Sequence, residues 1–258
     1  MDSWIFYFFI FLIAAAVGSF LNVCIYRLPQ ELSIVTPRSF CPACQTPIRA
    51  YDNIPIISFL ILKGKCRKCR TKIPWRYPLV EALTGGIALA LFYKFGFSPL
   101  FFFLFAFSAA FVVITFIDFD HQIIPDIISL PGIGVGFLLA VSGYSISIKE
   151  SLIGILVGGG SLYIVAFLYH ALTKREGMGG GDVKLLAMIG AWLGWKAVLF
   201  TLFFASLTGS VIGGAVMMAK KEDSKFAIPF GPFLTSSAVA YIFIGPKLIQ
   251  WYLNWGGF

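Results

Sequence analysis

Long uninterrupted apolar runs alternate with short polar segments along almost the whole chain. A helix needs roughly 20 apolar residues to cross about 30 Å of hydrocarbon, so runs of this length predict membrane-spanning helices. Their continuity excludes a β-barrel, whose strands alternate apolar and polar residues. Eight runs are present, at residues 4–25, 77–93, 99–117, 127–141, 152–172, 183–195, 197–219 and 232–253. We therefore predict an all-α polytopic membrane protein with about eight transmembrane helices.

Composition agrees with a membrane location. Hydrophobic residues make up 59% of the 258 residues and charged residues only 12%. A soluble domain has about 25% charged residues, so this chain has half the charge that a water-facing surface needs. An ordinary cytosolic enzyme, a disordered chain and a disulfide-stapled secreted module are excluded.

The basic residues predict which side of the membrane each loop occupies. If all eight runs cross, 16 lysines and arginines lie on one side and 4 on the other, and the positive-inside rule assigns the first side to the cytoplasm. Without the short sixth crossing, Lys220, Lys221 and Lys225 would move outside. Eight crossings with both termini outside therefore fit better. Irregular backbone at membrane depth is tolerated only where protein surrounds it or where it lines a water-filled cavity. The glycine-rich stretch before the sixth run is therefore a place to expect chemistry.

One polar insertion, residues 27–76, is much larger than the other loops and is called the cysteine module here. It has ten basic residues and two acidic ones, Glu31 and Asp52. We predict three regions: a first transmembrane helix at 1–26, a cytoplasmic metal-binding module at 27–76 and a transmembrane domain at 77–258. Basic residues beside a membrane attract anionic lipid headgroups, which makes membrane lipid an expected partner. Nucleic acid is not expected, because the module is tethered between two membrane helices.

Four cysteines in two Cys-x-x-Cys pairs predict a metal site in the cysteine module. The pairs are separated by 21 residues, which favours four thiolates around one tetrahedral ion, most simply zinc. A closed set of four leaves no open position for a substrate, so the expected role is structural. Two disulfides or a redox role remain alternatives. The four residues are Cys41, Cys44, Cys66 and Cys69.

Carboxylates at the membrane edge are energetically costly and are therefore candidates for function. Asp118 ends the third run, Asp126 precedes the fourth and Asp182 opens the sixth, all on the predicted cytoplasmic side. Asp118 and Asp182 lie at one level of the bundle and could face each other. Two adjacent carboxylates share one proton, as in aspartic proteases. Helix N-capping is the alternative for Asp126 and Asp182.

These features together resemble the type IV prepilin peptidases, which are membrane aspartic proteases of the GxGD type. The similar segments follow in order along nearly the whole chain, and include both cysteine pairs. The other segments are residues 18–23, 27–29, 53–55, 76–81, 117–126, 177–185 and 228–232.

The resemblance implies a catalytic pair, Asp118 and Asp182, that cuts prepilins and pseudopilins of type IV pilus and protein secretion systems. The cut follows the glycine that ends a short basic leader, at the cytoplasmic face of the bacterial inner membrane. Many members also methylate the new N-terminus with S-adenosylmethionine, and the four cysteines accompany that form. No residue marks a methyl-donor site, so its location is unknown.

Further residues are expected to support this site. The glycines before Asp182 would admit an extended substrate strand, and the segment entering the last run would line the cleft with Asp126. Lys184 would tune Asp182 or contact substrate, with simple solvation at the start of a helix as the alternative. Asp120 and Glu176 are expected at the same membrane level as the catalytic pair, and this acidic level would attract a basic leader. The cysteine module is expected to lie away from the leader's path. The supporting residues are Gly179, Gly180, Gly181, Lys184, Asp126, Pro229 and Gly231.

Three other functions remain open at this point. A transporter could use the same aspartates as a proton or ion relay. A membrane scaffold could bind a partner through the metal module, with the aspartates as caps only. A peptidase without methyltransferase activity is the third.

Overall fold

The computed structural model describes residues 3–174, 179–220 and 228–255. Glu176 and residues 221–225, which enter the charge arguments above, lie outside this part of the chain. The chain divides into two compact units, Met1–Val113 and Ile114–Phe258, and each is described by itself. Across the described residues, regular structure is helical apart from two isolated β-bridges. The predicted all-α class is confirmed.

Each of the eight apolar runs forms a helix. Six described helices are long and apolar enough to cross a membrane: α1 (Ser3–Arg27), α3 (Arg76–Phe95), α4 (Pro99–His121), α6 (Ile148–Thr173), α8 (Trp195–Lys220) and α9 (Gly231–Trp255). Two are shorter, α5 (Asp126–Val141) with 16 residues and α7 (Gly180–Leu193) with 14. A five-residue helix, α2 (Ile57–Ile61), belongs to the cysteine module.

In the first unit, α1 and α3 pack closely along their length. A Cβ atom at Gly18 would lie 2.8 Å from the Cα atom of Glu81, so only glycine permits this approach. The Asn22 side chain donates a hydrogen bond of 3.1 Å to the carbonyl oxygen of Tyr77. The two helices therefore form a fixed base from which the cysteine module extends.

The module is tied to this base at both ends. Arg27 at the end of α1 donates hydrogen bonds of 2.8 and 2.7 Å to the carbonyl oxygens of Ser33 and Pro37. Glu81 in α3 is buried and accepts a hydrogen bond of 2.7 Å from the backbone N–H of Ile56. A buried carboxylate needs such a donor, so Glu81 fixes the start of α2.

In the second unit, α7 forms the centre. All its residues from 185 to 192 are buried, and α5, α6, α8 and α9 contact it. Gly190 meets Gly154 of α6 backbone to backbone, which lets the two helices approach closely. Trp192 donates a hydrogen bond of 2.8 Å to the carbonyl oxygen of Gly132 in α5. A short helix is thus enclosed by protein on several sides.

The start of α7 differs from the sequence-based expectation. The sixth run was expected to begin at Val183, whereas the helix begins at Gly180, with Gly179 as its N-cap. Gly180 and Gly181 are therefore helical and not part of a loop. Glycine has low helix propensity, but a Cβ atom at Gly181 would lie only 2.9 Å from that of Ile124. Tertiary contact therefore outweighs propensity at this position.

Candidate active site and metal site

The second unit contains a cavity of about 250 Å³ at the start of α7. Asp118 near the end of α4 lines it, as do Asp126 at the start of α5 and Asp182 in the first turn of α7. The three glycines at 179–181 line it as well. Most of the predicted site residues are therefore brought together, although 64 positions separate the two proposed catalytic aspartates in the sequence.

Asp118 is held in place by the last helix. Its side chain is buried, with the residue 5% exposed, and its Oδ2 atom accepts a hydrogen bond of 3.0 Å from the backbone N–H of Gly231. A Cβ atom at Gly231 would lie 2.6 Å from the same oxygen, so no larger residue fits without movement. Gly231 is thus a supporting residue behind the carboxylate and does not line the cavity.

Asp182 faces the same cavity from the opposite helix and is half-buried. Asp118 and Asp182 thus line one cavity from two different helices. The N-caps of α5 and α7 are Pro125 and Gly179, neither with a side-chain capping bond. Neither Asp126 nor Asp182 is therefore an N-cap, which removes the capping alternative for both.

Lys184 pairs with Asp126, one of the residues that line the cavity. Its Nζ atom lies 2.7 Å from both carboxylate oxygens of Asp126, and both side chains are partly exposed. The pair links the first turns of α5 and α7. Among the contacts of the described residues, Lys184 thus has Asp126 as its carboxylate partner. Pro229 is half-buried on the approach to α9 and is not among the residues that line the cavity.

The glycines differ in the space around them. Gly181 is packed against Ile124, as described above. A Cβ atom at Gly180 would meet nothing within 4 Å, and Gly180 is exposed. The protein's own packing therefore explains glycine at 181 but not at 180.

Sequence reasoning missed part of the cavity lining. Gln122, Ile123 and Ile124, between the aspartates of α4 and α5, line the cavity. Gln122 adopts a left-handed conformation with φ of 54°. Ile123 and Ile124 carry no polar group, and an uncharged Gln122 in a polar loop does not by itself mark a site. The available signal was the position of this segment between two candidate aspartates.

In the first unit, the four cysteines of the module lie together. Their sulfur atoms are all within 4.8 Å of one another, with 3.7 Å between Cys41 and Cys69 and 4.0 Å between Cys44 and Cys66. Four ligands about 2.3 Å from one tetrahedral zinc ion lie about 3.8 Å apart. All four thiols are free, so the disulfide alternative finds no support. The spacing fits a metal centre with four thiolate ligands.

The two halves of the metal site are built alike. Each follows the pattern Cys-x-x-Cys-x-Thr-x-Ile. A backbone N–H of the first cysteine donates to the threonine carbonyl in each half. Hydrogen bonding to Thr71 lowers the pKa of Cys69 to about 6, and hydrogen bonding to Thr46 lowers the pKa of Cys44. Burial has the opposite effect on Cys41 and raises its pKa to about 11. The threonines thus favour the thiolates that a metal requires.

Two protein-family models match consecutive parts of the chain. The bacterial peptidase A24 N-terminal domain matches residues 12–95, and the type IV leader peptidase family matches residues 104–214. Three curated relatives are each called prepilin leader peptidase/N-methyltransferase. The one from Aeromonas hydrophila is 36% identical over 277 residues, covering 97% of this chain and 95% of the relative.

The relative from Pseudomonas aeruginosa is 34% identical, covering 96% of this chain and 93% of its own length. The one from Neisseria gonorrhoeae is 37% identical, with coverage of 93% and 90%. No solved structure matches this chain. Identity above 30% over nearly the whole length confirms the family resemblance noted in the sequence. The chain belongs to the type IV leader peptidase family.

Proposed function

We propose that this protein is a membrane-embedded aspartic endopeptidase that removes the leader of prepilins and pseudopilins and then methylates the new N-terminus. The observation that carries the proposal is the pairing of Asp118 and Asp182 at one cavity in a chain similar to prepilin leader peptidase/N-methyltransferases. The comparisons lend no support to a transporter.

The chemistry follows from two carboxylates that repel each other. Such a pair shares one proton. The ionised carboxylate takes a proton from water as the water oxygen attacks the scissile carbonyl carbon, and the protonated carboxylic acid donates its proton to the carbonyl oxygen. Collapse of the tetrahedral intermediate releases the amine and restores one shared proton. The hydrogen bond from Gly231 holds Asp118 in position for this exchange.

The peptide approaches through the glycine-rich start of α7. Proteolysis requires an extended backbone, and the open space at Gly180 lets a peptide backbone come close to Asp182. The acidic side chains at the cavity attract a basic leader. We infer that the residue before the cut is glycine, as in the family that the sequence resembles.

Methylation is the second half of the proposal. The three relatives carry N-methyltransferase in their names. S-adenosylmethionine, the donor implied by the resemblance, supplies the methyl group when bound, and the amine released by cleavage accepts it. Zinc is the proposed ion of the four cysteines, because their spacing fits its preferred geometry. Its role is to hold the module together, since the four thiolates close the coordination shell.

The location is proposed from the charge distribution. With the cysteine module and the start of α7 on the basic side, the active site lies at the cytoplasmic face of the bacterial inner membrane.

The deciding experiment compares prepilin cleavage by native protein, Asp118→Asn and Asp182→Asn in detergent, with product mass as the readout. Glu150→Gln is the matched control, because it removes a carboxylate near Gly194, at the opposite end of α7. We expect both aspartate variants to lose cleavage and the control to retain it. A methylated product with methyl donor present completes the proposal. Cleavage by either aspartate variant at the native rate would refute the assigned pair.

A further inference from the structure

A second and larger cavity lies in the first unit, in the cysteine module. It measures about 590 Å³, and both apolar and basic side chains line it. Phe59, Leu60 and Trp75 form the apolar wall, with the Phe59 and Trp75 rings 4.8 Å apart. Three lysines, Lys63, Lys65 and Lys72, also line it, together with Gly64, Ile73 and Pro74. None of the nine residues lining this cavity is acidic.

The three lysines form an unusual arrangement. Lys65 and Lys72 face each other across an isolated antiparallel bridge. Like charges directly opposite in such a pair are destabilising. All three lysines are exposed, and none forms an ion pair with a described residue. An anion between them would remove this repulsion.

The apolar wall continues onto a membrane helix. Trp75 precedes α3, and Leu79 and Leu83 follow at intervals of four residues, which places the three side chains on one face of the helix. Their exposed fractions are 75%, 56% and 43%. A tryptophan at the start of a membrane helix is typical of the membrane–water interface. The lysine-lined cavity therefore shares Trp75 with an exposed apolar stripe on a membrane helix.

We propose that this cavity binds one anionic phospholipid, with the headgroup phosphate between the lysines and an acyl chain along Trp75, Leu79 and Leu83. A basic leader peptide would be repelled by the same lysines, as would the sulfonium of a methyl donor. A free phosphate would satisfy the lysines but leave the stripe uncovered. A phospholipid has both a charged headgroup for the lysines and an acyl chain for the apolar stripe.

The test uses full-length protein purified in detergent and native mass spectrometry with phosphatidylglycerol, phosphatidylcholine or inorganic phosphate. Each lysine near anionic lipid contributes about 1 kcal/mol, so the double variant Lys65→Gln/Lys72→Gln should lose phosphatidylglycerol affinity by roughly 30-fold. Lys68→Gln/Arg70→Gln is the control, since it removes the same charge from exposed positions of the module that do not line the cavity.

We expect the control to retain native affinity and Leu79→Ala to weaken phosphatidylglycerol binding without changing leader cleavage in detergent. Equal losses in the two double variants would mean diffuse attraction and would overturn the proposal. Phosphate binding as tight as phosphatidylglycerol binding, or no preference over phosphatidylcholine, would overturn it as well. Circular dichroism of each variant separates a local effect from misfolding.

Discussion

Gly231→Ala adds a single methyl group behind the proposed catalytic Asp118. That carbon would lie 2.6 Å from Asp118 Oδ2, about 0.8 Å less than the 3.4 Å at which ordinary contact begins. The helix backbone is not free to move away, because Thr235 one turn later is buried and bonded at 2.7 Å to Thr115 of α4. The carboxylate must therefore shift by several tenths of an ångström and weaken its bond to the Gly231 N–H.

The expected cost follows from the precision that catalysis needs. A misplacement of about 1 Å costs on the order of 100-fold in rate. We expect kcat for leader cleavage to fall by roughly 10- to 100-fold, about 1.4–2.7 kcal/mol of activation free energy. KM should change little, because Gly231 does not line the cavity. Methylation of a pilin that has already been cleaved should be unaffected.

The assay measures initial rates of prepilin cleavage over a range of substrate concentrations. Gly134→Ala in α5 is the matched control, because a Cβ atom there meets nothing within 4 Å. It should retain the native rate and gain up to about 1 kcal/mol of helix stability. A native rate in Gly231→Ala would refute the reasoning that this backbone contact positions Asp118. A large fall in melting temperature would assign the loss to folding.

Three further predictions concern residues around the two sites. Lys184→Met should lower the free energy of unfolding by less than about 1 kcal/mol, because the ion pair between Lys184 and Asp126 is partly exposed. A double-mutant cycle with Asp126→Asn measures the coupling energy of the pair, and a coupling energy above about 2 kcal/mol would contradict the prediction. Cys69→Ser or strong chelation should remove bound zinc and expose the module to protease; metal analysis showing full zinc in the variant would exclude this ligand set. Glu81→Leu should destabilise the module by about 1–3 kcal/mol, because the Ile56 N–H loses its acceptor. Hydrogen exchange at the Ile56 amide should become faster, and unchanged exchange would argue against Glu81 as the group that fixes the start of α2.

The sequence was sufficient for the helices, because each apolar run is long enough to define one. It was less informative about α7, whose first turn is glycine and therefore looks like a loop until the contact between Gly181 and Ile124 is known. The starts of helices depend on tertiary contacts that hydropathy does not contain. Helix α7 begins at Gly180, three residues before the expected start at Val183.

The candidate site was also only partly predictable. Asp118 and Asp182, which line one cavity, were candidates because carboxylates are costly at the edge of apolar runs. The partner of Lys184 was not predicted, because tuning of Asp182, contact with substrate and simple solvation all remained open for it. Residues two apart on a helix point in different directions, and Lys184 instead reaches Asp126 on α5. The contact between Gly231 and Asp118 joins residues 113 positions apart and could not be read from spacing.

The length of α7 gives a physical reason for placing the catalytic pair at its start. Fourteen helical residues extend about 21 Å, whereas the hydrocarbon layer is about 30 Å thick. A helix that reaches one surface with Leu193 therefore begins about 9 Å below the other. The first turn of α7, which contains Asp182, then lies below the membrane surface and lines the cavity. A site at this depth meets the first turns of a membrane-anchored substrate, which explains how a soluble leader and an apolar helix can both approach the same two aspartates.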